Sequence, residues 1–436
     1  MIQMSEWKNT LKPIVPWLLI VGIMYIFTLM KFPLAVTNIF LVISTLVCMW
    51  RLWKENGENR LEVILIMLGV AVRILVCLID IYGNSIIAIP FSGDDSLNFY
   101  NTSVAYYYGD TSSVYTNYPY VLNAIYQIAG LNRFAAQYVN ILCWCFCMLL
   151  MQKSCSLLKI ENPLRILAVF LYSFLPFNIC ISSILMRDMI VTFSITLTYY
   201  CILKWMQDGK YRYLAAGIAV TVPAILLHNC ALAMLMVMGI VVALYSPEKR
   251  KFCIEKKFIF ILAAGLAAIL VVVLVPKVRN VFLTQIPISN GGILDGINGR
   301  LEFFYTYTGG STYLMNEYVS SYTELFFGTF KRIAYFLFSP VPSLWRGFGD
   351  MLGFFASACV FAAGIVTMAI SFWYDRKDSY RMVLFSVIFF VSGIFAWGVS
   401  NGGTAMRHRE KILAITILLA IYSIQLIKNA RRGAES

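Results

Sequence analysis

The sequence is poor in the groups that soluble chemistry usually draws on. Only 13% of its 436 residues are charged, and only two are histidine. No CxxC pair or Cys/His ligand set occurs, which excludes the common zinc motifs. The eleven cysteines lie almost entirely in apolar runs, and the polar stretches 83–135 and 277–350 contain none. A disulfide framework is therefore not expected. There is no glycine-rich phosphate loop, no repeat of about 20–50 residues and no low-complexity tract. No stretch is long and polar enough to form a separate soluble domain.

What the chain does have is apolar length. Hydrophobic residues make up 60% of it, a proportion typical of polytopic membrane proteins. About twelve runs approach the roughly 20 apolar residues that a spanning helix needs. The first, Pro13 to Met30, is too long for a signal-peptide core and lacks a cleavage site, so it reads as a retained span. The expected fold is all-α: a polytopic transmembrane bundle of ten to twelve spans, one integral-membrane domain over 1–436. The ninth span is expected at 258–276. Two long extracytoplasmic loops are expected, 83–135 and 277–350, the second with an interfacial amphipathic helix from Leu325 to Phe338.

The net charge of +13 is not a nucleic-acid patch, because the basic residues cluster at alternate junctions between spans. Of 35 Lys and Arg, 22 fall on one set of junctions and 12 on the other, with Arg73 inside a span. That asymmetry places both termini in the cytoplasm. It also places Asp94, Asp95, Arg187, Asp188, His228, Arg300, Arg407, His408, Arg409 and Lys411 on the outer side. Both histidines are among them. One extracytoplasmic polar site assembled from several helix ends is the economical expectation.

The stretch Ser92-Gly93-Asp94-Asp95 opens the first outer loop. Adjacent carboxylates in a partly dry site repel, so one can hold a proton and serve as a general base. The pair also suits a divalent cation such as Mg or Mn. A solvated turn is the plainer reading of Gly-Asp. Tyr118 belongs to an aromatic-rich stretch suited to sugar faces or to the membrane interface. Arg187-Asp188 falls between two apolar spans, where ionisable groups are costly and are paired or functional. Arg407-His408-Arg409 and Lys411 follow Gly402-Gly403, glycines able to turn the chain sharply. Their composition is that of an anion site for a phosphate or pyrophosphate leaving group. His228 interrupts an apolar stretch, as a turn residue or a substrate contact. Arg73 and Asp80, seven apart, share one face of a span and should point into the bundle.

An acidic Gly93-Asp94-Asp95 in an outer loop, followed by an amphipathic Tyr118–Gly130 segment, resembles the membrane-embedded GT-C glycosyltransferases. The resemblance implies that Asp94 or Asp95 is a base or metal ligand and that the donor is a polyprenyl-phosphate sugar. The layout of Arg187-Asp188, His228 and Arg407-His408-Arg409 also resembles bacterial polysaccharide polymerases of the O-antigen and exopolysaccharide type. There it implies that outer arginines hold a lipid pyrophosphate. The acidic loop follows the third span here, whereas in GT-C enzymes it usually follows the first.

The resulting expectation is a glycosyltransferase of the bacterial inner membrane, acting in cell-envelope polysaccharide synthesis. Its donor is a polyprenyl-linked sugar or glycan, its surroundings membrane lipid, and its co-substrate a glycan acceptor. Asp94 or Asp95 takes the acceptor proton. Arg187, Arg407, Arg409 and Lys411 bind the donor phosphate, and His228, His408, Asp188, Tyr118 and Arg300 are further contacts. A repeat-unit polymerase is the near alternative, and a lipid-linked glycan transporter the alternative from another class.

Overall fold

The computed structural model describes residues 15–56, 59–112, 114, 116–255, 258–259, 292–306 and 311–435. The expected span 258–276 and loop residues 277–291 thus lie almost entirely outside the described residues. Among the described residues the helices in chain order begin with α1 (Val15–Leu29), α2 (Leu34–Asn56), α3 (Arg60–Tyr82), α4 (Asp94–Tyr107), α5 (Tyr118–Ala129) and α6 (Arg133–Leu157). There follow α7 (Asn162–Phe174), α8 (Pro176–Ser183), α9 (Asp188–Asp208), α10 (Arg212–Leu227) and α11 (Leu232–Leu244). A two-residue hairpin pairs β1 (Tyr245–Ser246) with β2 (Lys251–Phe252) antiparallel. The chain continues through α12 (Ile293–Thr306), α13 (Tyr322–Phe338), α14 (Phe348–Gly353), α15 (Cys359–Tyr374), α16 (Ser379–Ala396), α17 (Gly402–Arg409) and α18 (Leu413–Glu435).

The protein is a polytopic, mostly α-helical membrane protein. Among the described residues seven helical segments are long and apolar enough to cross a bilayer: Leu34–Lys54, Arg60–Tyr82, Arg133–Leu157, Asp188–Asp208, Phe348–Tyr374, Ser379–Ala396 and Gly402–Gly433. The bent pair α7–α8 makes an eighth if it is one span. Three more apolar runs, Val15–Leu29, Arg212–Leu227 and Asn229–Leu244, form shorter helices. At about 1.5 Å per residue these reach ~24 Å, less than the ~30 Å of a hydrocarbon core. Counting apolar runs therefore exceeds the number of full-length helices among the described residues. By Cα packing the chain divides into two compact units, 1–152 with 178–190, and 153–177 with 191–436.

In the first unit α3 carries the ionisable interior. Its buried face reads Glu62, Ile66, Val70, Arg73, Cys77, Asp80, a spacing of three and four residues. The opposite face, Leu61, Ile64, Leu68, Leu75 and Leu78, is exposed, as a lipid-facing stripe should be. Arg73 and Asp80 share the inner face but do not pair with each other. Arg73 donates to Ser182 Oγ (2.8 Å), Asn178 Oδ1 (2.7 Å) and Gly69 O (3.0 Å), and its guanidinium lies 3.7 Å from the Trp144 ring centroid. Asp80 accepts from Gln137 Nε2 (2.6 Å), Arg133 Nη2 (3.0 Å) and Ser92 Oγ.

The stretch 83–135, expected as an outer loop, is not irregular, because it holds α4 and α5. The buried face of α5 is Tyr118, Leu122, Tyr126 and Ala129, four positions on one side of three turns. Phe99 on α4 meets Tyr118 edge to face, with ring centroids 5.1 Å apart. Burying that aromatic face is what makes helices of a polar, tyrosine-rich stretch.

In the second unit α18 is buried along most of its length and packs against α7, α15 and α16. The run 325–338 expected at the interface lies in α13. Ser321 caps it by accepting the Glu324 amide (3.2 Å), and Arg332, Ile333, Phe336 and Leu337 are buried. Its other side exposes Phe326, Phe327 and Phe330. On α12, Ile297, Leu301 and Tyr305 recur every four residues and pack with Val319.

At its far end α18 is tied to the start of α7 by charge. Glu161 accepts from Arg432 Nη1 (2.7 Å) and Lys428 Nζ, and Gln425 Oε1 accepts the Glu161 amide (3.1 Å). The Lys428 contact, then Gln425 and Arg432, holds the Glu161 carboxyl down at about 2 from an ordinary 4.5. A depressed folded-state value stabilises the fold above the unfolded value and loses that contribution as pH falls toward about 2. Glu161→Gln should therefore melt at a lower temperature than the native protein in detergent at pH 6. The gap should narrow progressively below pH about 4.5. A gap independent of pH would remove the ion pairs as its cause.

Candidate functional site

The sequence-predicted site residues fall in both units. In the first unit Asp94 and Asp95 are the opening residues of α4, behind Gly93 at the N-cap. Acidic residues suit a first turn, whose amides lack intrahelical acceptors. The Asp94 side chain lies outside the described residues, and the Asp95 side chain is exposed. One turn on from Asp95, Phe99 is buried and carries the half-buried Arg187 guanidinium 5.7 Å from its ring centroid. The next residue, Tyr100, faces Arg133 at 5.3 Å. Helix α4 thus exposes Asp95 at its start, and its buried Phe99 one turn on meets the Arg187 guanidinium, which comes from the link between α8 and α9.

Arg187 is held there by its neighbours. The buried amide of Asn140 on α6 donates to Ile184 O (2.7 Å) and Met186 O (2.8 Å), fixing the link between α8 and α9. Asp188, fully buried, begins α9. Tyr118 is also fully buried, and that burial, reinforced by the neighbouring Tyr126 and Asp188, raises its hydroxyl pKa well above the usual tyrosine value. A sugar face has no access to a ring buried in this way, so Tyr118 supports α4 through Phe99. Asn140 and Gln137 were missed by charge and motif reasoning. Their signal is an amide inside an apolar span, where a polar group must have partners.

In the second unit Asn401 caps α17, its Oδ1 accepting the amides of Gly403 (2.8 Å) and Thr404 (3.3 Å). Gly402 and Gly403 are the first residues of that helix and make no sharp turn. Gly402 is required for another reason. Its amide donates to Ser311 O at 2.7 Å, and a Cβ there would sit 3.1 Å from Ser311 Oγ. Ser311 Oγ in turn donates to Asp350 Oδ1 at 2.5 Å.

Because α17 is a helix, Arg407 and Arg409 point about 200° apart. Arg407 is half-buried. Arg409 is fully buried, donating to Ser357 Oγ (2.7 Å), Leu337 O (3.0 Å) and Ser339 O (2.5 Å). Those carbonyls belong to the end of α13, where a helix leaves its last acceptors unused. Arg409 serves as their cap. The adjoining Glu410 is buried and accepts from Ser357 Oγ at 3.3 Å.

The two histidines of the chain meet. The His228 and His408 rings lie 5.2 Å apart and both approach Phe395, at 5.3 and 4.5 Å between centroids. Lys411 is fully buried, with Nζ 2.8 Å from His408 Nδ1 and 5.4 Å from the Phe395 ring centroid. Arg300 on α12 is exposed and lies against Gly398, whose added Cβ would be 3.5 Å from its Nε. Arg332, not singled out in the sequence, is fully buried on α13. It donates to Tyr305 OH (2.9 Å) and Glu317 O (2.8 Å) and faces the Trp397 ring at 4.5 Å.

Among the described residues no three His, Cys, Asp or Glu side chains group as metal ligands. The side chain of Asp94, one half of the carboxylate pair expected to suit a divalent ion, lies outside the described residues. The chain matches no protein-family model, and no curated protein or solved structure is significantly similar to it.

The two arginines of α17 should separate by phenotype. Arg409→Ala leaves the carbonyls at the end of α13 unpaired in the interior, at about 1–3 kcal/mol for each, and should reduce or abolish the folded peak in size-exclusion chromatography. Arg407→Ala should elute like the native protein. Equal elution of both variants would mean that Arg409 is not the cap of α13.

Proposed function

We propose that the protein is a glycosyltransferase of a bacterial inner membrane, with a polyprenyl phosphate- or pyrophosphate-linked sugar or glycan as donor. The observation that carries the reading is that exposed Asp95 stands one turn along α4 from Phe99, the ring that Arg187 of the α8–α9 link meets. Residues four apart lie on the same helix face. A carboxylate and a guanidinium so placed match the two charges such a transfer needs. The acceptor hydroxyl loses its proton to Asp95 or Asp94 as its oxygen bonds to the anomeric carbon. The bond from that carbon to the carrier phosphate breaks, and the departing oxygen takes the electron pair. A fixed guanidinium stabilises the charge that develops there. In the second unit the cationic Arg407 and Lys411 beside His408 add to the support, since such a cluster is suited to phosphate.

The orientation follows from the Lys and Arg asymmetry, with both termini cytoplasmic and α4 outside. An impermeant maleimide should label Ser112→Cys in spheroplasts and should label Lys54→Cys only after lysis. The opposite pattern would put α4 in the cytoplasm and end the lipid-donor reading.

Activity is tested with the protein in lipid nanodiscs, a polyprenyl-phosphate sugar and a glycan acceptor, reading the new glycosidic bond by mass spectrometry. Asp95→Asn or Asp94→Asn should lower the rate by ~100-fold or more, as loss of a general base does. Product length separates a single-sugar transferase from a repeat-unit polymerase. Carrier sugar that crosses a vesicle membrane without any new bond would identify a transporter instead.

A further inference from the structure

The link between α1 and α2 ends one helix in an unusual way and borders a cavity. The Lys31 amide donates to Thr28 O (3.1 Å) and the Phe32 amide to Phe27 O (3.0 Å), and the Phe27 and Phe32 rings stack across the turn at 4.7 Å between centroids. A helix that stops with these two bonds needs one left-handed residue, which is most often glycine. Here that residue is Lys31, at φ 54°. Glycine takes the conformation without strain. The backbone gains nothing from a lysine there, so what the position supplies is a side chain. Lys31 is exposed and, among the described residues, has no carboxylate partner. Beside it lies a cavity of about 210 Å³, whose lining includes Thr28, Lys31, Phe32, Leu34, Ala129 and Gly130. At ~30 Å³ for each water that is room for roughly seven. Its walls are fixed. Thr28 Oγ1 donates to Ile128 O at 2.8 Å, joining the end of α1 to the end of α5. Asn132 Nδ2 donates to Asn38 Oδ1 at 2.6 Å, joining the residues after α5 to α2.

We propose that this cavity seats the headgroup of an anionic membrane phospholipid, with Lys31 as the cation that binds its phosphodiester. Lys31 is the one charged residue of the lining. The hydroxyls that share the lining, Thr28 and Thr37, donate to backbone carbonyls. An ammonium on a flexible stem with three donors meets a phosphate without a fixed line of approach. The occupant follows from what surrounds the cavity. Leu29, Met30, Leu34, Val36 and Ile39 are exposed, and α2 is long and apolar enough to span a bilayer. In a membrane that surface is covered by acyl chains. A lipid whose chains lie along α1 and α2 brings its headgroup to the level of the α1–α2 link, where both helices end. Insertion orientation does not account for the lysine, because the Lys and Arg asymmetry puts this link on the side with fewer basic residues. The proposal does not rest on the glycosyltransferase reading.

The full-length protein, stripped of lipid in detergent, is titrated with phosphatidylglycerol or phosphatidylcholine, and bound lipids are counted by native mass spectrometry. One phosphatidylglycerol should bind more tightly than phosphatidylcholine. Lys31→Met should weaken it by about three- to tenfold, and Lys31→Arg should retain it. Leu34→Trp, which fills the cavity and keeps the charge, should also lose it. Lys31→Gly separates the side chain from the backbone: it should melt no lower than the native protein and yet lose the lipid. Equal binding of the two lipids overturns the proposal, as does a Lys31→Met protein that binds phosphatidylglycerol like the native one. Retention of the lipid by Leu34→Trp places it outside the cavity. A Lys31→Gly protein that melts lower with unchanged lipid binding makes the lysine a partner of the helix ends alone. If inorganic phosphate or polyprenyl phosphate takes the site in preference, the phospholipid assignment falls. Should Leu34→Trp fail to fold, the lysine variants decide the matter.

Discussion

A charge inside an apolar bundle must be surrounded by its own partners, and much of this structure follows from that requirement. Removing an ion from water costs several kcal/mol even after relaxation, so a buried arginine is retained only where acceptors are fixed around it. Arg73, Arg332 and Arg409 are each fully buried, and each meets that condition in the same manner. One edge of the guanidinium donates to backbone carbonyls or hydroxyls. An aromatic ring faces it: Trp144 for Arg73, Trp397 for Arg332 and Phe361 for Arg409. Planarity and five donors let arginine do this where lysine cannot. Each such residue ties together segments far apart in sequence, as Arg73 on α3 does with Asn178 and Ser182 on α8.

The same requirement shapes the polar constellations that carry the functional reading. Asp80 organises Ser92, Arg133 and Gln137 just before α4 begins. Asn140 holds the link that presents Arg187. On the second unit, Arg409 caps α13, while Asn401 and Ser311 set where α17 starts. The groups suited to chemistry, Asp95, Arg187, Arg407 and the two histidines, are the exposed or half-buried members beside these anchors. Anchors and chemistry are thus adjacent in sequence but differ in depth, and substitutions only two residues apart should have different phenotypes.

The apolar runs and the ionisable face of α3 were legible in the chain alone, as were the polar breaks at 92–95, 187–188 and 401–411. Period and composition decide these things, since a run of apolar residues has few alternatives to a helix in lipid. The stretch 277–350 revealed its helix through Thr323-Glu324, a start signal that reads locally, and the structure adds Ser321 as its cap. The stretch 83–135 revealed the amphipathic segment that became α5, but not that α4 precedes it. Nothing local in Asp94–Tyr107 requires a helix, and it is the burial of Phe99 against Tyr118 that supplies the reason.

Depth and partnership were decided only by tertiary structure. The sequence places Arg407 and Arg409 in one basic cluster, but helical geometry sends them to different sides of α17. It lists two histidines 180 residues apart, and only packing against Phe395 brings their rings to 5.2 Å. It shows Arg73 and Asp80 on one face without showing that each finds its partners on other helices. By itself the sequence determined a polytopic helical membrane protein, its apolar segments and the residue types at its polar breaks, because hydrophobicity and helical period are local properties. Which of those residues are buried supports and which remain accessible depends on contacts between distant segments, and no local pattern encodes these.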